Sequence, residues 1–133
     1  MPIKKDTVAQ VVAEASQLMS EPNYSTTLVG GFVQAQPSIV AYVSAHEDEL
    51  GGAEGVVSLI FHAALVAQMC ARGNGGPVRT ASFEDLDRAS GGDSMELLQA
   101  AQPFIHGFIE ENVESKVAQP ILALLSLAMS ERR

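Results

Sequence analysis

Apolar and polar positions alternate with a helical period along most of this chain. Val8, Val11, Val12, Ala15, Leu18 and Met19 recur at i, i+3 and i+4, with Asp6 or Thr7 placed to cap a first helix. Glu21-Pro22-Asn23 ends it. Ser25 or Thr26 can cap a second helix through Leu28, Val29, Phe32 and Val33, in which Gly30-Gly31 either weakens the segment or admits another backbone closely. After a helix bearing Ile39, Val40 and Val43, Gly51-Gly52 breaks the pattern. The most hydrophobic long helix then runs over about 53–72, and Gly73-Asn74-Gly75-Gly76-Pro77 reads as a loop.

Ser82 with Asp85, and Asp93 with Glu96, both have the spacing of a capping box, an acidic variant of the Glu/Gln form. The last helix, about 119–130, has a single polar residue, Ser126, between Ile121 and Met129. Val78-Arg79-Thr80 is the one candidate for extended structure. No stretch sustains the period-2 alternation of a strand with β-branched enrichment. The expectation is a single all-α domain spanning residues 1–133, orthogonal or bundle-like, with five to seven helices and the two long apolar ones at its centre.

The tripeptide Ala-Gln-Pro occurs three times, at Ala35-Gln36-Pro37, Ala101-Gln102-Pro103 and Ala118-Gln119-Pro120, each followed by an apolar helical run. Proline lacks an N–H and has a preset φ, so it suits the first turn of a helix. Each copy therefore predicts a helix start or a kink. After the first two copies Ile39 matches Ile105, Ala41 matches Gly107, Tyr42 matches Phe108 and Val43 matches Ile109. Two similarly packed helices related by a pseudo-twofold axis would produce that match, and so would chance reuse of good helix starts.

Composition narrows the function classes. Charge is −8 and neither half of the chain reverses it, so the basic stripe of a nucleic-acid binder is missing. The basic pairs are Lys4-Lys5 and Arg132-Arg133. An acidic surface leaves room for a basic protein partner or a cation. Cys70, the single cysteine, rules out an internal disulfide and reads as a small buried hydrophobe. Residues 56–70 are apolar but short, and Ser58, His62 and Gln68 interrupt them, which argues against a membrane span. Met1-Pro2-Ile3-Lys4-Lys5-Asp6 leads into an amphipathic pattern instead of a signal-peptide core, so a cytoplasmic location is expected.

Chemistry is sparse. His46 with Glu49, and His106 with Glu110, can each share a helix face. The residues three before His46, His62 and His106 are Val43, Leu59 and Pro103, so the Glu-x-x-His of a dimetal bundle is absent. His-Glu-x-x-His is absent as well. His62 lies among Phe61, Ala63, Ala64 and Leu65, the setting of a core-edge histidine bonded to a carbonyl or carboxylate. The Gly73–Gly76 loop lacks the Lys-Ser/Thr ending of a phosphate-binding loop.

His46-Glu47-Asp48-Glu49 and Glu110-Glu111-Asn112-Val113-Glu114 are the acid-rich spots. Carboxylates at a helix C-terminus oppose the macrodipole, whereas at the start of the next helix they suit it.

The sequence thus assigns no catalytic residue, no metal and no cofactor. Its first reading is a non-enzymatic cytoplasmic interaction protein that self-associates through the two apolar helices. An alternative is a hydrophobic small-molecule site between helices, lined by Phe32, Tyr42, Phe61, His62, Phe104 and Phe108. A third is a His/carboxylate site using His46, His62, His106, Glu49 and Glu110.

Overall fold

A computed structural model describes residues 2–130; Arg132-Arg133 falls outside the described residues. They form α1 (Lys5–Leu18), α2 (Tyr24–Ala35), α3 (Pro37–Ser44), α4 (Glu47–Leu50), α5 (Ala53–Asn74), α6 (Phe83–Ala89), α7 (Ser94–Ala101), α8 (Pro103–Asn112) and α9 (Ala118–Ser130). No strand occurs among the described residues. The all-α class holds, but nine helices among the described residues replace the expected five to seven. Two of the extra boundaries come from Ala-Gln-Pro, which breaks the helix instead of kinking it. A third comes from the single turn of α4 ahead of Gly51 (φ 88°) and Gly52 (φ 100°).

All three prolines lie in a first turn: Pro37 and Pro103 open α3 and α8, and Pro120 is the third residue of α9. The residue before a proline is pushed out of the helical region. Gln36 (φ −131°, ψ 62°) and Gln102 (φ −140°, ψ 71°) obey this. Their side chains are buried and serve the backbone of distant segments. Gln36 Oε1 accepts from the Ala81 N–H at 2.8 Å, and its Nε2 donates to the Arg79 carbonyl at 3.1 Å. Gln102 Oε1 accepts from the Ile3 N–H at 2.7 Å. Gln119 Nε2 donates to the Val113 carbonyl at 2.7 Å. An extended segment cannot satisfy its own backbone groups, so each glutamine supplies the partner that burial demands.

Ile3 and Ala81 each stand two residues before a helix, α1 and α6 respectively, so the two latches are reciprocal. The packing repeats the relation. Helices α1, α2 and α3 lie on α5 as α6, α7 and α8 lie on α9; α3 touches α6 as α8 touches α1; and α5 packs on α9. Exchanging the first set for the second leaves this pattern unchanged. Only α4, packed on α5, has no counterpart. Two of the four matched pairs agree in burial, Ile39 with Ile105 and Val43 with Ile109, all fully enclosed, whereas Ala41 and Tyr42 are more exposed than Gly107 and Phe108. The two sets of three helices thus share one contact pattern, the relation that the matched Ala-Gln-Pro segments suggested.

α9 is wrapped by α5, α6, α7 and α8, and Ile121 to Leu125 and Met129 are buried within the chain's own core. The apolar face that the sequence offered to a second copy is therefore already covered. α5 has 22 residues, more than its apolar stretch suggested, and by length and composition it is long enough to cross a membrane. Here half of its apolar window is buried, against α1, α2, α3, α4 and α9. Helix α5 also continues through Gly73 and Asn74, which the sequence assigned to a loop. Gly73 permits this because a Cβ there would sit 2.4 Å from Ile3 Cδ1, so the bare backbone lets Ile3 dock.

Helix starts are mixed. Lys4 and Asn23, and not Asp6, Thr7, Ser25 or Thr26, occupy the first two N-cap positions, with no side-chain bond at either. The latch on Ile3 carries the chain into α1 two residues earlier than local capping predicts. At α6 the capping box forms as expected: Ser82 Oγ accepts from Asp85 N–H, and Asp85 accepts from Ser82 N–H at 2.9 Å. Arg79 and Arg88 pair with the same carboxylate.

The Ser82 backbone N–H bond, foremost, and the two guanidinium groups hold the Asp85 carboxyl well below the ordinary carboxylate range. A depressed folded pKa means that the stabilisation is fully present above the unfolded value, about 3.9. It is lost as pH falls through the folded value. Urea midpoints of wild type and Asp85→Asn should therefore differ at neutral pH and converge from about pH 4 downward. A gap that stays constant in acid would contradict this assignment.

Candidate functional site

The six residues expected to share a pocket do not. Phe32 is buried on α2. Tyr42 stacks on His46, ring centroids 4.9 Å apart. Burial, foremost, and the nearby charges of Glu49 and Asp87 raise its phenol pKa. Phe61 meets His62 edge-on at 5.6 Å, and His62 lies 6.1 Å from Phe108. Phe104 and Phe108 line a groove between α8 and α1, and His62 lines an adjoining cleft. Phe32, Tyr42 and Phe61 line neither. Helical spacing placed each aromatic on an inward face but could not say which face meets which.

The groove encloses about 410 Å³. Val8, Ala9, Val12 and Ala13 form its α1 wall, and Phe104, Gly107 and Phe108 its α8 wall, with Lys5, Pro103, Glu111 and Asn112 around them. Small residues at i, i+4 on α1, and Gly107 between two phenylalanines on α8, keep the floor open. A Cβ on Gly107 would meet nothing within 4 Å. Phe104 is 41% exposed on the α8 wall, where it adds to the contiguous apolar lining of the groove. The sequence did carry a signal for this groove. On α1, Ala9 and Ala13 extend the apolar stripe beyond the core positions Val8, Val11 and Ala15.

Glu111 and Asn112 also line the second cavity, a cleft of about 490 Å³ between α5 and the segment after α8. Gly55, Ser58 and His62 form its α5 side, and Glu114 and Ser115 face them. His62 Nδ1 lies 2.8 Å from the Ser58 carbonyl, the carbonyl-bonded histidine that its setting suggested. A carbonyl can only accept, so Nδ1 carries the proton and neutral His62 keeps Nε2 as an acceptor.

The other histidines have separate partners. His46 Nδ1 is 2.9 Å from Glu49, and His106 Nδ1 is 3.6 Å from Glu110. Among the described residues no three His, Cys, Asp or Glu side chains are grouped to hold a metal. Burial pushes the Cys70 thiol up to about 12, which leaves it an unreactive hydrophobe at neutral pH. Arg72, its neighbour in sequence, instead spans α5 and α1 as a bidentate pair with Glu14, at 2.8 and 2.5 Å.

The two acid-rich spots resolve differently. α3 stops at Ser44, so Glu47, Asp48 and Glu49 form the first turn of α4, where the dipole favours them. α8 runs to Asn112, which puts Glu110 and Glu111 in its last turn, where the dipole opposes them.

The fold and site define an all-α protein with an open apolar groove beside a cleft edged by Glu111 and Glu114. No protein-family model, curated protein or solved structure matches the chain.

Proposed function

We propose that this is a non-enzymatic cytoplasmic interaction protein that seats an apolar segment of a partner protein in the groove between α1 and α8. The comparison of the two corresponding crossings carries the reading. The α3/α6 crossing does the same architectural work as α1/α8. By the offsets of the two latches, Ser38 stands for Phe104, Tyr42 for Phe108 and Asp87 for Ala9, while Leu86 stands for Val8 and the exposed Phe83 for Lys5. The fold therefore does not require an apolar surface at α1/α8, and exposing one costs solubility. Two helical walls with aliphatic and aromatic side chains suit an amphipathic helix laid between them.

Photo-crosslinking in the native cell tests the proposal. Benzoylphenylalanine in place of Phe104 should give a discrete adduct that is absent from the same probe at exposed Leu97. Adding Gly107→Gln, which fills the groove, should abolish it. Equal labelling from both positions, or labelling indifferent to Gly107→Gln, would overturn the docking site.

One observation favours the alternative of a hydrophobic small molecule: the groove's volume lies within the ~300–1,000 Å³ of small-ligand sites. A co-purifying apolar mass in native mass spectrometry, lost in Gly107→Gln, would select that reading.

A further inference from the structure

We infer that the docked segment is basic, and that the cleft beside the groove receives a lysine or arginine from one of its flanks. The inference rests on the docking reading above. Groove and cleft share Glu111 and Asn112, so an element lying in the groove has the cleft at its end. Glu111 and Glu114 line the cleft from an exposed edge, and among the described residues neither makes an ion pair. Among the described residues Lys5, at the groove, is the single lysine or arginine lining either cavity, and Lys116 lines neither.

The end of α8 acts in the same direction. α8 ends at Asn112, so the negative pole of its dipole and its last carbonyls lie at the junction. Glu111 stands in the last turn of α8, where the dipole opposes a negative charge. A bound cation would offset that opposition and pair with the carboxylate. An apolar trough that ends in acceptors complements an amphipathic helix with a basic flank, and repels one with an acidic flank.

Selection from a library of amphipathic helical peptides, randomised on the apolar face and both flanks, provides the test. It is run on wild type and on Gly107→Gln, whose added side chain starts in open space and leaves the fold intact. Binders that depend on Gly107 should carry Lys or Arg on one flank. Exchanging that residue for Gln should weaken binding about fivefold by fluorescence anisotropy at low salt. The double variant Glu111→Gln/Glu114→Gln should erase this difference between the basic and the neutral peptide. Gly107-dependent binders with no basic enrichment, or with an affinity indifferent to the double variant, overturn the inference and leave the docking site standing. If no binder depends on Gly107, both readings fail.

Discussion

Replacing Gln36 with alanine will lower the free energy of unfolding by about 3 kcal/mol, because two backbone groups lose their partner together. Ala81 is 3% exposed, so its N–H has no route to water when Gln36 Oε1 is removed. The Arg79 carbonyl loses Nε2 at the same time, although the exposure of Arg79 lets solvent replace part of that bond. Gln36→Leu keeps most of the volume and should be destabilised to a similar degree, which separates hydrogen bonding from packing. Gln102→Ala removes one bond, to Ile3 N–H, and should cost about 1–2 kcal/mol. Chemical denaturation supplies the energies, and amide exchange at Ala81 reports the local loss. A Gln36→Leu protein as stable as wild type would mean that the latch is incidental.

Glycine-to-alanine substitution at position 55 should be about as damaging, near 3 kcal/mol, with α4 as the element displaced. A Cβ on Gly55 would lie 1.9 Å from the Leu50 carbonyl oxygen and 2.8 Å from its carbon. These are backbone atoms, which cannot swing aside as the end of a side chain can. Either the Glu47–Leu50 turn moves or the start of α5 does, and both reshape the cleft that Gly55 lines. Gly107→Ala makes the internal contrast. It is also a helical glycine, but its Cβ meets open space, so it should raise stability by about 1 kcal/mol through helix propensity. Thermal and urea unfolding of the pair should move in opposite directions. A Gly55→Ala protein at or above the wild-type midpoint would show that the α4–α5 corner relaxes freely.

The legible features were those whose cause lies within one helical turn. Pro37, Pro103 and Pro120 all lie in the first turn of a helix because a proline ring fits there wherever it occurs. Ser82 and Asp85 cap α6 because their spacing suffices. Cys70 is buried because an apolar helical run has no other place for it.

Local pattern failed where a neighbour from elsewhere in the chain intervened. α1 begins at Lys5 because Ile3 is held by Gln102, and α5 extends to Asn74 because Gly73 makes room for Ile3. The site was half legible. Phe104, Phe108 and His62 were named, but the α1 wall and Gly107 were not, because a groove belongs to two helices far apart in sequence.

Helical class, helix starts and the burial of single faces were thus determined by the sequence itself, since each follows from spacing along one element. Which faces meet was decided only by the tertiary structure, in the reciprocal glutamine latches, the enclosure of α9 and the pairing of α1 with α8. Such contacts depend on the mutual packing of all nine helices, and no periodicity within one segment encodes them.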